Sequence, residues 1–220
     1  MDIEKNIHEY IYGNELSSGV KPLERYASFD YCFNYFRAFH EENSYKDLAS
    51  PQYLQTSCFQ LGFYLASWGM LRGSSFLLRK SAKVYEPVIK AISQADSILW
   101  ELDVNVYTSS NIEMILDFKK TIAQNLEHGN GATDTLVTKI MLGVFGNVPA
   151  FDSYFRRGLG VNTFNKQSLT ELFRFYQNNA EIIDKHRLPT LDFATGKPTQ
   201  RHYTRAKVID MIFFIEGGKL

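Results

Sequence analysis

Asp152 stands four residues before the pair Arg156-Arg157, within VFGNVPAFDSYFRRGLG, Val144 to Gly160. Residues four apart on a helix face each other, so the carboxylate and Arg156 can pair. A carboxylate in a first turn is also favoured by the helix dipole. The same residue types could instead present an acid and two cations to a ligand, the acid for proton transfer and the arginines for phosphate. The sequence supports two readings of this stretch: a tight turn between core helices, or an element that carries a site.

Two other stretches hold chemistry-bearing residues at telling spacings. In SWGMLRGSSFLLRK, Ser67 to Lys80, Trp68 and Arg72 are placed i,i+4 for a cation–π contact. Ser74 and Ser75 follow Gly73 at a helix start, where backbone amides can hold a phosphate or a carboxylate. The plain alternative is a glycine turn followed by a capped restart. In GKPTQRHYTRAK, Gly196 to Lys207, the cations Lys197, Arg201, Arg205 and Lys207 surround Thr204, the expected cap of a last helix. Cations at a helix N-terminus oppose the dipole, so an anion is expected there. His202 and Tyr203 would add a stacking face for a base. The alternative is a solvated basic loop. Gly196-Lys197 is not a phosphate-binding P-loop, because the upstream glycine and strand are missing.

Metal and cofactor chemistry find no motif. The five His are scattered, and no CxxC or HExxH spacing occurs. Dinucleotide and flavin fingerprints are absent, so no cofactor and no metal is expected. Cys32 and Cys58 fall in apolar helical patterns and read as buried free thiols, which suits a reducing, cytoplasmic setting.

The elements that must position these residues are helical nearly throughout. Ile3, Ile7, Tyr10 and Ile11 form a short amphipathic helix ended by Gly13-Asn14. Pro22 opens a helix in which Phe29, Phe33, Phe36 and Phe39 or His40 form one stripe. Ser50-Pro51 marks a helix start for a segment whose inner face is Leu54, Cys58, Leu61, Leu65 and Trp68. Pro87 starts a further segment to Ala95, and LWELDVNVYT reads as a helix end plus extended connector. Ser109 or Ser110 opens a helix to His128, stopped by Gly129 and Gly131. Ala132 to Phe145 is helix again, with Gly143 and Gly146 permitting close approach and a positive φ at its end. Pro149 sits in the first turn of the next helix. Helices follow from Gln167 to His186 and from Thr204 to Ile215, with Pro189 to Tyr203 as loop. The expected fold is all-α, a single-domain bundle of about nine helices over residues 1–220.

Leu48 to Leu71 is free of charge throughout. A membrane span needs about 20 mainly apolar residues, whereas this window holds Pro51 and several Gln and Ser. It is expected to be the central buried helix, and no membrane partner follows. The N-terminus MDIEKNIHEY is acidic and amphipathic, unlike a signal peptide.

Composition frames the function. Lys and Arg total 24 against 24 Asp and Glu, so the formal charge is zero, and bulk attraction to nucleic acid is excluded. Residues 185–207 nonetheless hold six Lys/Arg against the single acid Asp192, so any anion binding must be local. Aromatic residues reach 15%, enough for a thick core or an aromatic-walled groove.

One family resemblance is visible at residues 139–160. LGVFG followed by FDSYFRRGLG resembles part of the helix-hairpin-helix DNA glycosylases, all-α proteins with a glycine-bearing hairpin followed by an aspartate at a helix start. The resemblance implies that hairpin amides grip phosphate and that Asp152 assists departure of a flipped base. Only five residues separate Gly146 from Asp152, a shorter link than the family's, and the one lysine in this stretch, Lys139, lies upstream.

The expected function is therefore binding of an anionic, nucleic-acid or nucleotide-like partner. Its contacts would be Arg72, Ser74, Arg156, Arg157, Lys197, Arg201, His202 and Arg205. The alternatives are a glycosylase-like enzyme with Asp152 as acid, and a helical protein that self-associates through its aromatic surface into a homo-oligomer.

Overall fold

Twelve residues from Asp134 to Phe145 form the helix around which the molecule is built. In a computed structural model describing residues 1–15, 17–126 and 132–220, every side chain from Leu136 to Phe145 is buried. Thr133 caps this helix by accepting from Leu136 N, and Gly146 ends it with φ 68°, its amide shared between Leu142 and Met141 carbonyls. A Cβ at Gly146 would lie 2.7 Å from the Phe33 ring, so both the turn and the packing require glycine there.

Around it stand α1 (Ile3–Tyr12), α2 (Ala27–Glu41), α3 (Leu54–Ser67), α4 (Glu86–Ser93), α5 (Ile98–Glu101) and α6 (Ser109–Asn125). The central helix itself is α7 (Asp134–Phe145), followed by α8 (Ser153–Leu159), α9 (Lys166–Lys185) and α10 (Arg205–Lys219). The all-α reading holds, with ten α-helices among the described residues where about nine were expected. Buried side chains form one continuous cluster. In α2 the expected Phe29, Phe33 and Phe36 stripe points into it. The end of α6 falls at Asn125; the expected stop at His128, Gly129 and Gly131 lies outside the described residues.

Three expectations are corrected. The charge-free segment 48–71 is not the central buried helix. Its helical part, α3, packs only Ser57, Cys58, Leu61, Tyr64 and Leu65 inward, while Phe59 and Phe63 are 54% and 70% exposed. Uncharged Gln55 and Thr56 serve as its solvent face, so absence of charge was not absence of water. The buried helices are α7 and most of α10. Ser50 does not cap α3: its hydroxyl is buried without a hydrogen-bond partner, and the helix starts four residues later.

The segment Pro189 to Tyr203 is not all loop. β1 (Pro189–Leu191) and β2 (Pro198–His202) pair antiparallel in a hairpin. Its polar, proline-flanked strands are held by tertiary hydrogen bonds. Thr190 Oγ1 donates to Asn34 Oδ1 at 2.8 Å, and Asp30 Oδ2 accepts from Leu191 N at 2.8 Å.

The close crossing of α8 with α10 positions the site described next. A Cβ at Gly217 would fall 1.8 Å from the Tyr154 carbonyl oxygen, and one at Gly158 would fall 2.5 Å from the Phe213 carbonyl oxygen. Two glycines thus bring backbone onto backbone and press Tyr154 against Phe214, ring centroids 5.3 Å apart.

Candidate ligand-binding site

Asp152 is the N-cap of α8. Its Oδ1 accepts from Tyr154 N at 3.1 Å and Phe155 N at 3.0 Å. Its other oxygen lies 3.3 Å from Lys139 Nζ, a lysine almost entirely buried in α7. The expected Asp152–Arg156 side-chain pair does not form. Arg156 instead donates to the main-chain carbonyls of Asp152 and Asn162. The connector before Asp152 is tied down as firmly: Ala150 N donates to Asp210 Oδ1 and Phe151 N to Thr138 Oγ1. Pro149 precedes α8 rather than sitting in its first turn.

Lys139 belongs to a buried layer of charge. Lys207 Nζ lies 2.8 Å from Asp210 Oδ2 and 2.9 Å from the Tyr10 hydroxyl. Nearby, Asp30 accepts from Tyr203 Oη at 2.9 Å and from Leu191 N. Burial pushes the Asp30 carboxyl up to about 7, against the pull of those hydrogen bonds and of Lys207. Burial likewise drives the Tyr10 and Tyr203 hydroxyls well above their ordinary range. Each lysine also faces aromatic rings: Lys207 lies 4.7 Å from the centroids of Tyr10 and Phe29, and Lys139 lies 5.2 Å from Trp68. Ion pairing and ring quadrupoles together offset the cost of desolvating the two ammonium groups.

Trp68 links this layer to the surface. It stacks on Tyr26, centroids 5.3 Å apart, and Phe214 meets both rings edge-on. Tyr154, 41% exposed, closes the row against Phe214. The result is a cleft of about 220 Å³ lined by Tyr26, Tyr154, Phe214, Arg25, Glu9 and Lys219, among others. Lys219 is engaged by Glu9 and Asn6. Arg25 lies over Tyr26 and Trp68, 5.2 and 5.5 Å from their centroids, and Arg157 lies 5.1 Å over Tyr154. Neither arginine forms an ion pair with an acid among the described residues. Tyr26 itself is buried between Tyr10 and Trp68, so the rings open to a ligand between the two available guanidinium groups are exposed Tyr154 and half-buried Phe214.

The other sequence-predicted contacts do not gather here. Arg201 is bound to Glu41 and to Asn34, and Arg205 to Asp184 and the Tyr176 hydroxyl. The anion expected at the N-terminus of α10 is internal. Asp103 Oδ2 accepts from Arg205 N at 2.8 Å and Oδ1 from Ala206 N at 2.9 Å. Tyr203 is buried under the hairpin and offers no stacking face beside exposed His202. Lys197 is exposed on the hairpin, just before its second strand.

Arg72 is exposed, with its guanidinium against Gly69; the cations over Trp68 are Arg25, Lys139 and Lys207. Ser74 is exposed, and Ser75 is the cap of the 3-10 turn Phe76–Arg79. Sequence reasoning named Asp152 and Arg157 but missed Arg25, Tyr26, Tyr154 and Phe214. Their only linear signal was aromatic abundance. Among the described residues no group of three or more His, Cys, Asp or Glu could hold a metal ion, and no helix is long and apolar enough to cross a membrane.

The chain matches no protein-family model, no curated protein and no solved structure.

Proposed function

We propose that this protein binds single-stranded nucleic acid, seating one base in the cleft against Tyr154 and Phe214 with the flanking phosphates on Arg25 and Arg157. The reading rests on one observation: two arginines without acid partners among the described residues flank a continuous row of aromatic rings. That combination suits a ligand with both a π-face and a negative backbone, because rings supply sequence-tolerant stacking and guanidinium groups supply phosphate neutralisation. A cleft of about 220 Å³ is the size for one base rather than a duplex. Zero net charge means that binding comes from this local pairing of features, not from a basic surface.

The test is anisotropy titration of a labelled oligothymidylate at low and moderate salt. Stacking on an aromatic is worth about 1–3 kcal/mol per base, so Tyr154→Ala is expected to weaken binding roughly 5- to 150-fold. Arg25→Ala with Arg157→Ala is expected to lower the salt slope by roughly 0.7 for each phosphate left without its cation. Binding of a mononucleotide with equal affinity would narrow the ligand to the nucleotide, and no binding to either would end this reading.

A second reading, base excision with Asp152 as acid, is favoured by the Lys139–Asp152 pair. It lies behind Trp68, whose ring stacks on the cleft residue Tyr26. Single-turnover release of a base from damaged oligonucleotides, lost in Asp152→Asn with binding intact, is the outcome it requires.

A further inference from the structure

The outer face of α3 is the second surface that folding leaves unexplained. Phe59 and Phe63, one turn apart, stand 54% and 70% exposed. Clefts open on either side of them. One, about 400 Å³, is lined by Leu54, Cys58, Phe59 and Ala82 with Lys83 and Glu86; the other, about 360 Å³, is lined by Phe59, Gly62, Phe63, Leu77 and Tyr85 with Lys80. The second cleft is deepened by glycine. A Cβ at Gly62 would meet the Tyr85 ring at 2.9 Å, so Tyr85 lies directly across the helix.

We propose that this face binds a second copy of the chain, α3 against α3 about a two-fold axis. An isologous contact requires one patch to carry both halves of its own complement. This patch does so: each copy offers protruding phenylalanine rings and, beside them, apolar clefts able to receive the rings of the other. Charge points the same way. No residue from Leu48 to Leu71 is ionised, and of the charged residues that line the clefts Lys80 and Lys83 are exposed while Glu86 pairs with Lys83 and Lys90, so two such faces meet without burying an unpaired carboxylate. The molecule's formal net charge is zero, which removes the long-range repulsion that keeps many proteins apart. The face lies on α3 and the 3-10 segments at 76–85, whereas the aromatic cleft is built by α1, α8, α10 and the loop residues between α1 and α2. No residue that lines one lines the other, so the association goes beyond the ligand reading and does not depend on it.

The experiment is sedimentation velocity of the full chain from about 1 µM to several hundred µM, for the native protein, Phe63→Glu, Phe59→Glu and, as a control, Phe193→Glu. Phe193 is also highly exposed but packs on Tyr31 beside the hairpin. Expected is a monomer–dimer equilibrium in the native protein and in Phe193→Glu, with the midpoint shifted at least tenfold upward in both α3 variants. Both α3 variants should keep their native far-ultraviolet spectra, because both side chains point to solvent. A native protein that stays monomeric throughout overturns the proposal. So does a dimer that Phe59→Glu and Phe63→Glu leave intact, or one that only Phe193→Glu disrupts.

Discussion

Lys139 Nζ lies 3.3 Å from Asp152 Oδ2, and this buried contact ties the middle of α7 to the first turn of α8. It makes Asp152 a structural residue in two ways at once, as helix cap and as counter-ion. The same cap sets the direction of α8 and hence the place of Tyr154 and Arg157 on the cleft.

Removing either member of the pair alone should cost more than removing both. Asp152→Ala loses a cap worth about 0.5–2 kcal/mol and strands a buried ammonium, for which about 3–5 kcal/mol is typical. Asp152→Asn with Lys139→Met keeps a capping oxygen and removes the stranded charge. Urea denaturation of the single and double variants should show the double variant closer to the native protein than Asp152→Asn alone, which keeps the cap but strands the ammonium. A double variant as unstable as the sum of its parts would mean that the two groups are not coupled.

Glycine at 217 should matter far more than glycine at 218. A Cβ at Gly217 lands 1.8 Å from the Tyr154 carbonyl oxygen, while one at Gly218 meets nothing within 4 Å. Gly217→Ala must push α8 off α10, so both thermal stability and oligonucleotide affinity should fall together. Gly218→Ala should leave both within error of native, as a helical glycine replaced without a clash.

Stability should decline as pH rises towards neutrality, in part through Asp30. Its carboxyl, ordinarily near 3.8, is pushed up to about 7 by burial. Between those values the folded protein holds a proton that the unfolded chain does not. The associated stability is thus complete below about pH 4 and lost as pH climbs through 7. Asp103 is displaced in the same direction by burial. Asp30→Asn should flatten the dependence between about pH 5 and 7.5 in denaturant titrations. Equal slopes in both proteins would place Asp30 back in its ordinary range.

Arg201 and Arg205 offer a control that separates structure from binding. Both are held by acids of the protein itself, so Arg201→Ala with Arg205→Ala should lower the melting temperature yet leave the salt slope of oligonucleotide binding unchanged. Arg25→Ala with Arg157→Ala should do the reverse, since neither arginine holds an acid among the described residues. Were the first pair to abolish binding without destabilising the protein, the ligand would sit at the hairpin instead of the cleft.

The helical class was legible because helix signals are local. Apolar spacing, the Thr204 cap, and the glycine at 146 act within a few residues, and each falls in the structure where the sequence places it. Partners drawn from elsewhere in the chain were not legible. Asp152 chose Lys139, thirteen residues away, over Arg156 at helical spacing, because α7 delivers that ammonium to a site with little water to compete for it. Asp103 filled the anion position at α10 from about a hundred residues upstream, which no periodicity reveals.

What the sequence by itself determined, then, is which segments are helical and where caps such as Thr204 and Gly146 bound them. Tertiary structure decided which charges neutralise one another, which uncharged helix still faces solvent, and which rings meet. The physical reason is range: capping and amphipathic burial are settled within one or two turns, whereas the cleft beside Arg25 and Arg157 exists only where α1, α8, α10 and the loop before α2 come together, and its residues lie far apart along the chain.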